Sequence, residues 1–153
     1  MRLSIALLFV SLLVAGCTST PEASRERDAD AKQFYTHPNA ATIYVYRLPS
    51  DQRAQGQEQS VLYLDDRLIG QTLPGAYFRI DAVPGRHLLH GIGSDMGRLQ
   101  LDTRPGELYF VELTVPTGNS QFRLVRGDIA RKHIVQCCAL LENWAPGQRP
   151  LIR

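Results

Sequence analysis

From Ala41 onward the chain predicts a mainly β fold: an antiparallel β-sandwich of about seven strands closed by one C-terminal amphipathic helix. Three observations carry this. Short runs rich in Ile, Val, Tyr and Phe alternate with turn residues at fairly even spacing, which is how a sandwich reads. Pro-Gly pairs at Pro74-Gly75, Pro84-Gly85 and Pro105-Gly106 punctuate the runs. Near the end of the chain the apolar period changes from two to that of a helix.

Thr42-Ile43-Tyr44-Val45-Tyr46-Arg47 is β-branched and aromatic, so Ile43 and Val45 share one face of a strand and the two tyrosines the other. Pro49 to Ser60 is polar and Gln-rich, and reads as a loop. Val61–Leu64 and Leu68–Gly70 form a hairpin around Asp65-Asp66, because Asp tolerates left-handed dihedrals. Tyr77–Asp81 follows, with Phe78 and Ile80 inward and Arg79 outward; Arg86–Ile92 comes next, then a half-buried strand in which Leu99 and Leu101 alternate with Arg98, Gln100 and Asp102. Leu108–Val115 is apolar on both faces except Glu112 and Thr114, as a strand inside a sheet is, and Gln121–Arg126 pairs after it. Ala130, Ile134, Cys137, Cys138, Leu141 and Ala145 recur at helical spacing, which predicts a helix over Asp128–Asn143 with Asp128 as its N-cap, a strand over Ile134–Leu141 being the alternative. The domain is read as residues 41–145, and 146–153 as an extended tail.

Residues before the domain have a different character. Met1-Arg2 and the apolar run Leu3–Val14 have the form of a secretory signal peptide over residues 1–16. The run is too short to span a bilayer, which needs about 20 residues. It ends in Val14-Ala15-Gly16-Cys17, which closely resembles the lipobox of bacterial lipoproteins. That resemblance implies cleavage before Cys17, a diacylglycerol on its thiol and a third, palmitate-type acyl chain on its new amino group. Two or more chains anchor stably where one holds only reversibly. Thr18, rather than the Asp that resembles an inner-membrane retention signal in enteric lipoproteins, implies the outer membrane, facing the periplasm. Thr18 to Lys32 lacks aliphatic side chains, so residues 17–40 are read as the lipidated cysteine and a flexible tether with a reach of roughly 25 Å.

Of the 153 residues, 17 are Lys or Arg and 15 are Asp or Glu; removing residues 1–16 takes away Arg2 and no acid. The near-neutral balance offers no basic face for nucleic acid. Cys137 and Cys138 point about 100° apart on a helix, so a bond between them would require a strained local geometry, and they read as two small packing residues, with a redox switch or a disulfide to another chain as the functional alternatives. His133 and Cys137 share a helical face but lack the further ligands zinc needs. His87 and His90 face opposite sides of a strand. His90, Ser94 and Asp95 are the residue types of a hydrolase triad, but they sit in one Gly-rich turn without the Gly-x-Ser-x-Gly elbow. Tyr44, Tyr46, Tyr63, Tyr77 and Tyr109 read as core filling, with Tyr44 and Tyr46 the best candidates for exposure to a ligand or partner.

Two further pieces carry a family resemblance. Tyr63–Gly70, with Tyr77-Phe78 and Val83-Pro84-Gly85-Arg86-His87-Leu88-Leu89, resembles PEGA-like β-sandwich modules. The order of Ile43–Arg47, that hairpin and Gly106-Glu107-Leu108-Tyr109-Phe110 is similar to a domain-of-unknown-function family of small bacterial lipoproteins. The resemblance covers roughly residues 41–126 and implies a sandwich in the envelope, without catalytic residues. The expectation is therefore a lipid-anchored, non-catalytic envelope protein, with Cys17 as its lipidation site and no catalytic, metal or cofactor-binding residue. It would act as an interaction or structural module toward an envelope protein or the cell wall. A small-molecule or glycan-binding lipoprotein using the sandwich loops is the alternative.

Overall fold

The computed structural model describes residues 20–49, 60–92 and 95–143. The expected signal peptide (residues 1–16), Cys17, Thr18, most of the Gln-rich loop and the expected tail lie outside these residues. The chain alternates between two sheets. β1 (Ala41–Arg47) begins the first; β2 (Ser60–Leu64) and β3 (Arg67–Thr72) cross to the second; β4 (Ala76–Ala82) returns. β5 (Gly85–His90) and β6 (Arg98–Thr103) cross again, and β7 (Leu108–Thr114) and β8 (Gln121–Leu124) complete the return. α2 (Gly127–Cys137) and β9 (Ala139–Leu140) follow, and α1 (Arg25–Ala31) precedes the whole. The result is a five-stranded sheet, β8-β7-β1-β4-β9, over a four-stranded one, β3-β2-β5-β6.

The sandwich is present, with nine strands among the described residues rather than about seven, and its larger sheet is mixed rather than purely antiparallel. β1 pairs antiparallel with β4 but parallel with β7, and β4 is parallel with β9. The cause is the alternation itself: each return from the second sheet reverses direction, so β4 runs against β1 and β7 runs with it. The β2–β3 hairpin has Asp65 and Asp66 at φ 50° and 60°, the paired left-handed conformation its sequence predicts. Gly75, at φ 72°, makes the turn into β4.

Ile43, Val45, Leu62, Leu64, Phe78, Ile80, Val111 and Leu113 fill the space between the sheets. Their alternating positions face inward because the other parity of each strand meets something else. On the five-stranded sheet that something is a second core, where Tyr44, Tyr46, Tyr77 and Phe110 lie beneath α1 and α2. Tyr44 and Tyr46 are fully buried, so the expectation of their exposure is corrected: α2 presents Ala130 and Ile134 to them, and Phe34 covers Tyr44 at 5.2 Å between ring centroids.

The tether expected over residues 17–40 is corrected from Thr20 onward. Thr20 is 2% exposed, and its hydroxyl both donates to the Gln71 carbonyl and accepts from the Gln71 N–H, each at 3.0 Å. Glu22 bridges antiparallel to Leu141, and Ala23 N–H donates to the Leu140 carbonyl at 2.8 Å. Residues 20–23 are thus a strap over β9, the edge strand of the larger sheet, and onto β3, the edge strand of the smaller. Ser24 caps α1, and the helix buries Ala31 where its carbonyl accepts the Tyr44 hydroxyl at 2.7 Å. The lack of aliphatic residues misled because backbone pairing and the tyrosine hydroxyls, rather than apolar area, fix this segment.

The C-terminal helix is also shorter than expected. It ends at Cys137, and Cys138 is extended at φ −121° and ψ 140°. Asp128 lies inside the first turn, paired with Arg126 at 3.1 Å, and the N-cap is Arg126. Beyond Cys137 the chain adds to the β4 edge, with Ala139 N–H on the Gly75 carbonyl and Leu141 N–H on that of Tyr77. An open sheet edge attracts strand pairing more strongly than helix propensity holds another turn.

Candidate functional site

α2 meets the larger sheet through a polar cluster followed by a pair of cysteines. Tyr46 and Glu112 are register neighbours on β1 and β7, and Arg123 lies opposite Glu112 on β8. Glu112 is only 8% exposed; its two carboxylate oxygens each accept from Arg123 Nη2 at 3.1 Å, and Oε2 also accepts the Tyr46 hydroxyl at 3.1 Å. His133, from α2, places Nδ1 3.3 Å from the same hydroxyl. Since the phenol proton points at the carboxylate, Nδ1–H is the donor in this arrangement. Burial first, then the charge of Glu112, pushes the Tyr46 phenol above its ordinary value, so it stays protonated in neutral solution. The cluster joins sheet to helix; a phenol so held neither gives nor takes a proton near pH 7.

One turn further on, Cys137 and Cys138 are joined to each other in a disulfide. This corrects the expectation of two separate packing side chains. The divergence of about 100° belongs to a continuous helix. Here the helix ends between the two residues, and the extended conformation of Cys138 swings its side chain toward Cys137. Cys138 is 4% exposed and Cys137 half-buried. Cys138 Sγ lies 3.6 Å from the Arg47 carbonyl oxygen; the bonded sulfur carries no hydrogen, so this is a contact and not a hydrogen bond. With the Cys137 sulfur bonded and His133 turned to Tyr46, the two do not form a ligand pair. Among the described residues no group of three or more His, Cys, Asp or Glu is placed to hold a metal ion.

The remaining candidates are dispersed. His87 faces inward, its Nδ1 2.6 Å from Asp65 Oδ2 and its Nε2 2.6 Å from the Val83 carbonyl, whereas His90 faces outward and stacks on Tyr63 at 5.2 Å. Their opposed directions are those that strand alternation predicts. Of the triad residue types, Ser94 lies outside the described residues. His90 pairs with Asp66, while Asp95 accepts from the Ser120 N–H at 2.8 Å and from its hydroxyl at 2.5 Å. Tyr77 is buried and gives its hydroxyl to Asp28, while Tyr63 and Tyr109 are partly exposed. Tyr109 lines an open hollow of about 690 Å³ with Arg86, Asp102, Arg104 and Glu107. A groove of about 370 Å³ runs between β7 and the start of α2, past Leu108, Phe110, Leu124 and Arg131.

No protein-family model matches the chain, and no solved structure matches it. The chain is 29% identical over 109 residues to an uncharacterized protein of Haemophilus influenzae, an alignment that covers 69% of this chain and 62% of the relative. The chain therefore spans less than two thirds of that relative's length.

Three features escaped the sequence reading. Ser60 and Ser120, both buried, share a hydrogen bond at 2.6 Å between the sheets, and Asp95 completes the chain. Nothing local marks two serines 60 positions apart. Asp28 receives both the Tyr77 hydroxyl and the Leu140 N–H, a role that needs α1 to be docked. Glu112 did leave a signal: one carboxylate in a strand otherwise apolar on both faces implies a cation opposite, and Arg123 occupies that register.

Proposed function

We propose that this chain is a lipid-anchored, non-catalytic protein of the bacterial envelope, an interaction module held tightly against its membrane. The observation that carries the reading is the spacing between the lipobox and the first pinned residue. Cys17 is three residues before Thr20, whose hydroxyl is fixed on Gln71. At no more than 3.6 Å per residue, that separation reaches at most about 11 Å. An acylated Cys17 would hold the β3 and β9 edges beside the bilayer and direct β6 and β8 away from it. The apolar run Leu3–Val14 is shorter than the about 20 residues a bilayer span needs, so the anchor in this reading is lipid. Thr18 after the cysteine favours the outer membrane. The module role draws support from the polar clusters of Tyr46, Glu112 and Arg123 and of Ser60, Ser120 and Asp95, whose groups bond one another and serve the fold, and it leaves the outer sheet face and loops for a partner protein or cell-wall polymer.

The test is Cys17→Ser in the full-length chain. Fatty-acid labelling should be lost and unprocessed precursor should accumulate, because a hydroxyl does not replace the thiol as acceptor; unchanged labelling and fractionation would overturn the anchor. A second reading, a glycan or small-molecule binder, is favoured by the hollow at Tyr109, where an aromatic ring lies among Arg86, Asp102, Arg104 and Glu107. Binding of cell-wall fragments lost in Tyr109→Ala would establish it in place of a purely protein-directed role.

A further inference from the structure

The geometry points to the Cys137–Cys138 disulfide as a thiol-exchange site, opened and closed by a dithiol oxidoreductase while the domain stays folded. The first argument concerns what this bond does not do. A disulfide stabilises chiefly by removing freedom from the unfolded chain, and the gain shrinks with the loop it closes. Adjacent residues close a ring of one peptide unit, so the cross-link constrains almost nothing. Nor does it join elements that would otherwise separate. On its two sides the backbone is already held: Cys138 N–H donates to Ile134, Ala139 N–H to Gly75 and Leu140 N–H to the Asp28 carboxylate.

The second argument is the asymmetry of the two sulfurs. Cys137 is half-buried at the end of α2, open to an attacking thiolate, whereas Cys138 is 4% exposed and faces inward. Once released, the Cys138 thiol finds an acceptor already in place, the Arg47 carbonyl oxygen 3.6 Å from its sulfur. Exchange proceeds in two displacements. A thiolate of the partner attacks Cys137 Sγ and forms a mixed disulfide; the bond between the cysteines breaks, and the Cys138 sulfur leaves with the electron pair and takes a proton. The partner's second thiolate then attacks its own sulfur in the mixed disulfide, releasing Cys137, which is protonated in turn. Two electrons and two protons pass from the partner dithiol to this protein, and the partner departs as a disulfide.

The chain just beyond the pair is held by the strap, independently of the cross-link. Leu140, two residues after Cys138, accepts the Ala23 N–H, and Glu142 N–H donates to the Pro21 carbonyl at 2.9 Å.

The test uses the full-length protein in detergent, equilibrated with glutathione buffers of graded ratio, then alkylated and weighed by intact mass spectrometry. Wild type should shift from no alkyl group on the pair to two in a single two-electron transition, with its circular dichroism and melting midpoint unchanged. Glutathione disulfide should modify Cys138→Ser, which keeps the accessible Cys137 thiol, at least tenfold faster than Cys137→Ser. Two free thiols in protein kept oxidised, a bond that opens only on unfolding, or equal reactivity of the two variants would each overturn the proposal. The wild-type titration stands whether or not either variant folds.

Discussion

The two sheets of this sandwich share one core but differ in what lies on their other faces. The five-stranded sheet is covered twice: inward by the apolar core, outward by α1, α2 and Phe34, so β1 is buried at six consecutive positions. The four-stranded sheet is covered once. In β6 exposed Arg98, Gln100 and Asp102 alternate with Leu99, Leu101 and Thr103, and the aromatic pair on that sheet's outer surface, Tyr63 on His90, is only partly covered. The covered sheet therefore depends on pieces distant in sequence, while the open one depends mainly on its own strands.

The largest test of that contrast is removal of the cover. Deleting residues 22–32 takes away α1, the strap's pairing with Leu141 and the acceptors of the Tyr44 and Tyr77 hydroxyls. The expected loss is about 4 kcal/mol or more, a large part of the 5–15 kcal/mol typical of a domain. Urea unfolding measures it, and a loss below about 1 kcal/mol would mean that the segment is a spacer after all. A matched pair of truncations sharpens the comparison. Tyr44→Ala empties a fully buried site and should cost about 3–5 kcal/mol. Tyr63→Ala, on the open face, removes a stacked cross-strand contact and should cost about 1 kcal/mol or less.

Alkaline pH loads the covered face through its buried tyrosines. Burial pushes the Tyr44 phenol from 10.0 up to about 12, and burial followed by Asp28 raises Tyr77 further. A pKa raised on folding means that the native state holds its proton where the unfolded chain has lost it. Stability from these groups is therefore complete below pH 10 and falls as pH rises past 10 toward 12 and beyond. Unfolding midpoints between pH 9 and about 12 should decline, and Tyr44→Phe should reduce the slope. A smaller effect is expected at the polar cluster: Glu112→Ala leaves the buried Tyr46 hydroxyl without its acceptor, at about 1–3 kcal/mol, while Glu112→Gln, which retains an acceptor, should cost less.

What was legible in the sequence follows the same division. The β2–β3 hairpin, the opposed His87 and His90 and the half-buried β6 were readable because each is a local pattern with one solvent-facing parity, and the inward Phe78 and Ile80 because charged Arg79 and Asp81 mark the other parity of β4. β1 was readable as a strand, with Ile43 and Val45 separated from the tyrosines, but the fate of the tyrosine face was not. Alternation of aliphatic with aromatic residues looks the same whether the aromatic side meets water, a ligand or a helix. The strap failed for a related reason. Its attachments are the Thr20 hydroxyl, the Asp28 carboxylate and backbone groups, and composition carries no sign of their partners. The disulfide was missed because the helix was extended to Asn143, six residues past its end at Cys137, and only a break between the cysteines lets them meet.

The smallest expected effect falls on the open face and is the sharpest control. Arg86 and Asp102 are register partners on β5 and β6, 3.4 Å apart, with side chains 73% and 81% exposed. Water and salt screen such a pair, and holding two side chains in place costs entropy, so an exposed ion pair is worth at most about 0.5–1 kcal/mol. Asp102→Asn should lower stability by no more than about 0.5 kcal/mol, and by less still in high salt. Both residues line the hollow at Tyr109, so the same variant separates a structural role from a binding one. If cell-wall fragments bind there, Asp102→Asn should weaken binding while the unfolding midpoint stays in place. A stability loss comparable to that of Glu112→Ala would instead show that the open face is held by its charges, and the contrast between the two sheets would not stand.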